Sequence, residues 1–172
     1  MSKMRFGVVI YLASAALVLA GRGAGATAQG DKYQLPVAVA KAIAEYKPGA
    51  EIEKLDVETQ DGIRFYDLEF KGDRGEMDVA EDGTILDIVT IVQMKDLPTL
   101  AAEAIQKAAV GARILRLEKS EILSEIKAVE GKGKIVKLDK PQYVFEAELI
   151  KDNRTGEVTV AEDGTIIDLK WD

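Results

Sequence analysis

Carboxylates are the chemically active side chains this sequence has in quantity, and their spacing decides what they could do. Asp67, Glu69, Glu146 and Glu148 recur at every second residue between apolar neighbours. Two carboxyl groups about 5–9.5 Å apart can cleave a glycosidic bond, one as acid and one as base or nucleophile. Period-two spacing instead places them on the outer face of a strand, where acids normally meet water. Glu81-Asp82-Gly83 and Glu162-Asp163-Gly164 offer carboxylate oxygen to a hard cation such as calcium. Neither has the spaced ligand series and distal Glu of an EF-hand loop, so both read as turns and no metal ligand is assigned. The chain has no Cys and no His. That excludes a thiol nucleophile, a Ser-His-Asp triad, Cys/His zinc sites, a lipoprotein-anchor cysteine and disulfides. No catalytic residue and no cofactor is expected, and the chain reads as a non-enzyme.

Aromatic side chains are the other candidates, because they dominate binding hot spots. Tyr66 and Phe145 fall in phase with core positions, and Trp171 shares phase with Ile167 and Leu169. Phe65 and Tyr143 fall out of that phase. They are the residues expected on an exposed face and available to a partner.

The elements that must carry these residues are legible from repeats and punctuation. The block from Val79 to Asp87 recurs from Val160 to Asp168, differing only where Leu86 is replaced by Ile167. A second block repeats too: Leu35-Pro36, Ala42-Ile43 and Gly49-Ala50 match Leu97-Pro98, Ala104-Ile105 and Gly111-Ala112. The prolines suit a helix's first turn and the glycines its end. Tyr66, Leu68 and Phe70, then Phe145, Ala147 and Leu149, alternate with polar residues as half-buried strands do. Asp61-Gly62, Asp82-Gly83 and Asp163-Gly164 mark hairpin turns. A longer hairpin, Glu125 to Glu130 and Ile135 to Leu138, is expected to turn at Gly131-Lys132-Gly133. The expected fold is α+β: two tandem repeats, 29–94 and 95–172, each a helix packed on a small antiparallel sheet.

Residues 1–28 read as a secretory signal peptide. Lys3 and Arg5 precede an uncharged run from Phe6 to Ala20, and Ala26-Thr27-Ala28 gives a small-x-small site for cleavage after Ala28. The run is shorter than the roughly 20 residues a membrane span requires, so no stable insertion is expected after cleavage. The mature chain is expected to be periplasmic or secreted. The formal charge is −7, and the leader's Lys3, Arg5 and Arg22 leave the rest more negative still. A surface of that sign disfavours nucleic acid and suits a basic partner or cations. With 47% apolar and 31% charged residues, the chain has the composition of a folded domain.

The order of Leu35-Pro36, Pro48-Gly49-Ala50, the strand from Tyr66 to Phe70 and Asp82-Gly83 resembles the PepSY-like domains, in their β-lactamase-inhibitor-protein-like branch. Leu97-Pro98, Gly111-Ala112, Phe145 to Leu149 and Asp163-Gly164 repeat the pattern. Val110 departs from it, standing where the first copy has Pro48. The resemblance implies a small extracytoplasmic domain that binds and restrains other proteins, with no shared catalytic residues. The function expected is an exported, non-catalytic binding or inhibitory module that engages a protein partner, possible targets being secreted or envelope enzymes, through its sheet surface. The alternative is an envelope sensor of a small ligand or a divalent cation.

Overall fold

The computed structural model describes residues 33–72 and 75–172; the expected signal peptide lies outside them. The chain runs α1 (Val37–Tyr46), β1 (Ile52–Gln60), β2 (Ile63–Phe70), β3 (Glu76–Ala80) and β4 (Ile85–Ile91). A short 3-10 turn, Met94–Asp96, leads into α2 (Thr99–Ala108), β5 (Arg113–Val129), β6 (Lys132–Lys151), β7 (Arg154–Ala161) and β8 (Ile166–Trp171). All eight strands form one antiparallel sheet in sequence order.

That arrangement corrects the expected two tandem helix-on-sheet repeats. The molecule is mostly one continuous sheet with two short helices. The join is β4 with β5, paired from Asp87↔Ile122 to Ile91↔Glu118. Left as an edge, β4 would expose unpaired backbone groups along an apolar strand, a template for aggregation. Pairing with β5 satisfies those groups and makes one sheet of the strands.

Both helices lie against one face of this sheet. Pro36 and Pro98 occupy the N-cap positions at φ −55°, where a missing N–H costs nothing. α1 buries Val39, Ala42 and Ile43 against Tyr66, Leu68, Met77 and Val79. Tyr46 is exposed in the last turn. α2 buries Ala101 and Ile105 against Phe145, Ala147, Leu149 and Val160.

The repeated block has the same structural task in both places. Asp82 Oδ1 accepts from the Thr84 backbone N–H at 2.8 Å, and Asp163 Oδ1 from that of Thr165 at 2.9 Å. The aspartates of these turns are therefore occupied in closing them. Gly83 and Gly164 have φ of +88° and +82° and back onto the first turns of α1 and α2. A Cβ there would lie 2.9 Å from Ala38 O and 2.7 Å from Leu100 O. Past each turn the register slips by one residue, leaving Leu86 and Ile167 as bulged positions.

The expected long hairpin is the outer part of β5–β6. Its turn tightens to Glu130-Gly131, both at positive φ as a type I′ turn requires. Pairing jumps from Ile122↔Gln142 to Ser124↔Lys137, so residues 138–141 have no partner on β5. Beyond this bend the hairpin packs on the face opposite the helices. Ile126 and Ile135 cover Phe65, Ala80 and Leu86, and the Gly133 N–H donates to Asp61 O at 2.8 Å.

Candidate binding face

Strand alternation sorts the two faces, and the one without helices collects the acids. Across β1–β4 the register aligns Asp56↔Asp67, Asp67↔Asp78 and Asp78↔Asp87. Across β5–β8 it aligns Glu118↔Glu146, Glu146↔Thr159 and Thr159↔Asp168. Glu69↔Glu76 and Glu148↔Glu157 add like-charged pairs on the same face. Like charges directly opposite on a sheet are destabilising, so this pattern opposes the stability of the free protein.

Cations answer part of that charge. Lys54 Nζ lies 2.9 Å from Asp56 and 3.1 Å from Glu69. Arg116 Nη2 reaches Glu76 at 3.1 Å, with Nε against Glu118. Lys170 Nζ sits 3.2 Å from Glu157 and 3.6 Å from Asp168. Among the described residues no such ion pair is formed by Asp67, Asp78, Asp87 or Glu146, and each of these carboxyls is raised above its usual range.

Burial pushes Asp67 up to about 6, with the charges of Glu76 and Glu69 adding to it. Asp78 is raised well above the usual carboxylate range by burial, then by Asp87. Burial and the Asp67 charge lift Asp87 to about 7. Glu118 rises to about 7 through burial and Glu76, against the pull of Arg116. Glu146 goes furthest, up to about 8, through burial, the charges of Glu157 and Glu118, and a hydrogen bond with Glu157.

One neutral group belongs to the same face. Thr159 is 2% exposed, and its Oγ1 has no hydrogen-bond partner among the described residues. An unmet buried hydroxyl costs about 1–3 kcal/mol. Among the described residues no group of three or more Asp, Glu, Cys or His is placed to hold a metal ion.

The two aromatics singled out from sequence are not brought together. Phe65 is 2% exposed, sealed under Ile126 and Ile135, so its expected surface position is corrected. Tyr143 is half-buried on the helix side, packed against the α2 core, with Lys119 Nζ 5.5 Å from its ring centroid. Asp67 and Glu146, expected to be solvated, are half-buried. Asp78, Asp87, Glu118, Glu157 and Thr159 were not singled out, although counting residue pairs back from the Asp-Gly turns aligns several of them.

No family model matches the sequence, and no curated protein matches it. Solved structures do share its fold. A protein from Bacteroides eggerthii DSM 20697, provisionally assigned to the periplasm, superposes with a TM-score of 0.56 at 10% identity, over 81% of this chain and 90% of that chain. A DUF2874 family protein from Bacteroides uniformis ATCC 8492 gives a TM-score of 0.52 at 14% identity, over 80% and 90%. A BLIP-like protein from Bacteroides fragilis NCTC 9343 is more distant in shape, at a TM-score of 0.49 and 15% identity over 81% and 89%. At these identities the likeness is one of fold. Among the described residues no helix is long and apolar enough to cross a membrane.

Proposed function

We propose that this chain is an exported, non-catalytic binding module that engages a protein partner through the sheet face opposite its helices. One observation carries the reading: that face sets carboxylates directly opposite one another and buries an unsatisfied hydroxyl, against the stability of the isolated protein. Groups retained at a cost to folding mark functional surfaces. Over β1–β4 the chain's own hairpin covers part of this face, while over β5–β8 Ile167 remains 37% exposed beside the acids. Export is supported by the signal-peptide pattern of residues 1–28 and by the shared fold of the provisionally periplasmic Bacteroides eggerthii protein. The resemblance to PepSY-like domains, and through them to inhibitors, points to a protein as the partner.

The test uses a C-terminally tagged chain expressed in its own host and isolated with whatever it holds. A stoichiometric partner should be recovered, and I167E should reduce its recovery by roughly tenfold or more. Equal recovery with I167E would remove the proposed face from the account.

A further inference from the structure

The nine-residue block that occurs twice produces the same local structure both times, but only one occurrence is covered. In the first, Phe65 pairs with Ala80 and the bulged Leu86 lies beside them, giving an apolar corner with exposures of 2%, 1% and 8%. Ile126 and Ile135 of the β5–β6 hairpin seal it. The matching positions in the other half of the sheet are Val144, Ala161 and Ile167. Val144 pairs with Ala161 as Phe65 does with Ala80, and Ile167 holds the bulged place of Leu86. Val144 and Ala161 are half-buried and Ile167 is 37% exposed. Each corner adjoins a polar row, Asp67-Asp78-Asp87 in one half and Glu146-Thr159-Asp168 in the other.

The occupant of the covered corner shows what such a corner accepts. It is a β-hairpin with two paired isoleucines facing the sheet and a glycine, Gly133, at the point of closest backbone approach, where a Cβ would lie 2.6 Å from Asp61 O. Its outer part carries Lys127, Lys132, Lys134 and Lys137 against Glu125 and Glu130, a net positive charge, with Lys127 Nζ 2.7 Å from Glu125. The uncovered half is negative as well: Arg116 serves Glu118, Lys170 serves Glu157 and Asp168, and Glu146 forms no ion pair among the described residues. Thr159 Oγ1 lies buried between Glu146 and Asp168 in register, with no hydrogen-bond partner among the described residues.

We infer that the uncovered half of the face receives a β-hairpin or extended loop of the partner protein, seating a branched aliphatic side chain on Val144, Ala161 and Ile167 and a lysine or arginine at Glu146, Glu157 and Thr159. This rests on the binding reading above and specifies the partner's chemistry. The aliphatic contact supplies hydrophobic burial in the manner of Ile126 and Ile135. An ammonium or guanidinium arriving there sets a fixed counter-charge beside Glu146 and Glu157, and a remaining N–H reaches Thr159. Charge-assisted hydrogen bonds of this kind are stronger than neutral ones. A second copy of this chain is a poorer occupant, because its own hairpin is already docked through Gly133.

The probe is a backbone-cyclised peptide reproducing residues 123–138, titrated into the purified chain with isotope-labelled methyl groups. The expected result is saturable one-to-one binding that shifts the Val144 and Ile167 methyl resonances and leaves those of Ile126 and Ile135 in place. Affinity should fall at least tenfold with I167E, and by a smaller factor with I167A, which keeps the surface uncharged should the glutamate disturb folding. It should fall with added salt and with T159V, and a peptide with its lysines replaced by glutamate should not bind. Displacement of Ile126 and Ile135, salt-independent binding, or the same methyls moving through self-association on concentration would each overturn the inference. If the peptide fails while I167E still abolishes recovery of the stoichiometric partner, the hairpin chemistry is wrong and the binding face stands. Loss of neither would overturn both.

Discussion

Glu146 sits in register between Glu118 of β5 and Thr159 of β7, with the charges of Glu157 and Lys170 acting on it. Its carboxyl, raised to about 8, binds a proton in the folded chain at a pH where an unfolded chain would have released it. Asp67, Asp87 and Glu118 behave alike at about 6 to 7. Between the ordinary carboxylate range and pH 8 the folded state therefore holds more protons than the unfolded state, so stability falls as pH rises. Exposed Glu51 and Asp163, held below their usual range, oppose this only at lower pH. The chain should be most stable near pH 5 and lose on the order of a few kcal/mol by pH 8.5, readable as a fall in Tm. E146Q removes one such group and should raise stability by about 1 kcal/mol at pH 8.5 while changing little at pH 5. Denaturant melts at the two pH values decide it; a wild-type chain more stable at pH 8.5 would contradict the assignment.

At the scale of elements, the β5–β6 hairpin decides which part of the face is open. I135N places a polar side chain against Phe65, Ala80 and Leu86, and such burial without a partner costs about 1–3 kcal/mol. The hairpin tip should undock, and the Gly133 amide, which donates to Asp61 O, should exchange freely with solvent. Hydrogen exchange measures this directly; a Gly133 amide as protected as in the wild type would show that the tip is held by something else. This element also shows what the sequence could and could not disclose. The Asp-Gly turns, the proline-led helices and the period-two strands were readable because each is set by residues within a few positions. Phe65 was misplaced because its burial depends on Ile126 and Ile135, far along the chain. The acids were misread as solvated for a related reason: period two assigns Asp67 and Glu146 to the outer face, but only the pairing of strands lines acids up beside acids.

For the whole molecule the consequential pairing is β4 with β5, which turns the expected separate sheets into one. Helix and hairpin signals are local, whereas the choice of an edge strand's neighbour follows from what else the chain leaves unpaired. A fragment ending at Lys95 keeps α1 and β1–β4 but loses both the β5 pairing and the hairpin over Phe65. It should melt well below the intact chain and bind hydrophobic dyes; equal midpoints would mean that the halves are stable independently. The account's central claim is that the face opposite the helices meets a partner protein. Photo-crosslinking in the native host tests it most directly, with the crosslinker placed at Ile167 on the uncovered half or at Val37, exposed on α1. A discrete protein adduct from position 167 and none from position 37 is the predicted result. Adducts from position 37 alone would contradict the claim.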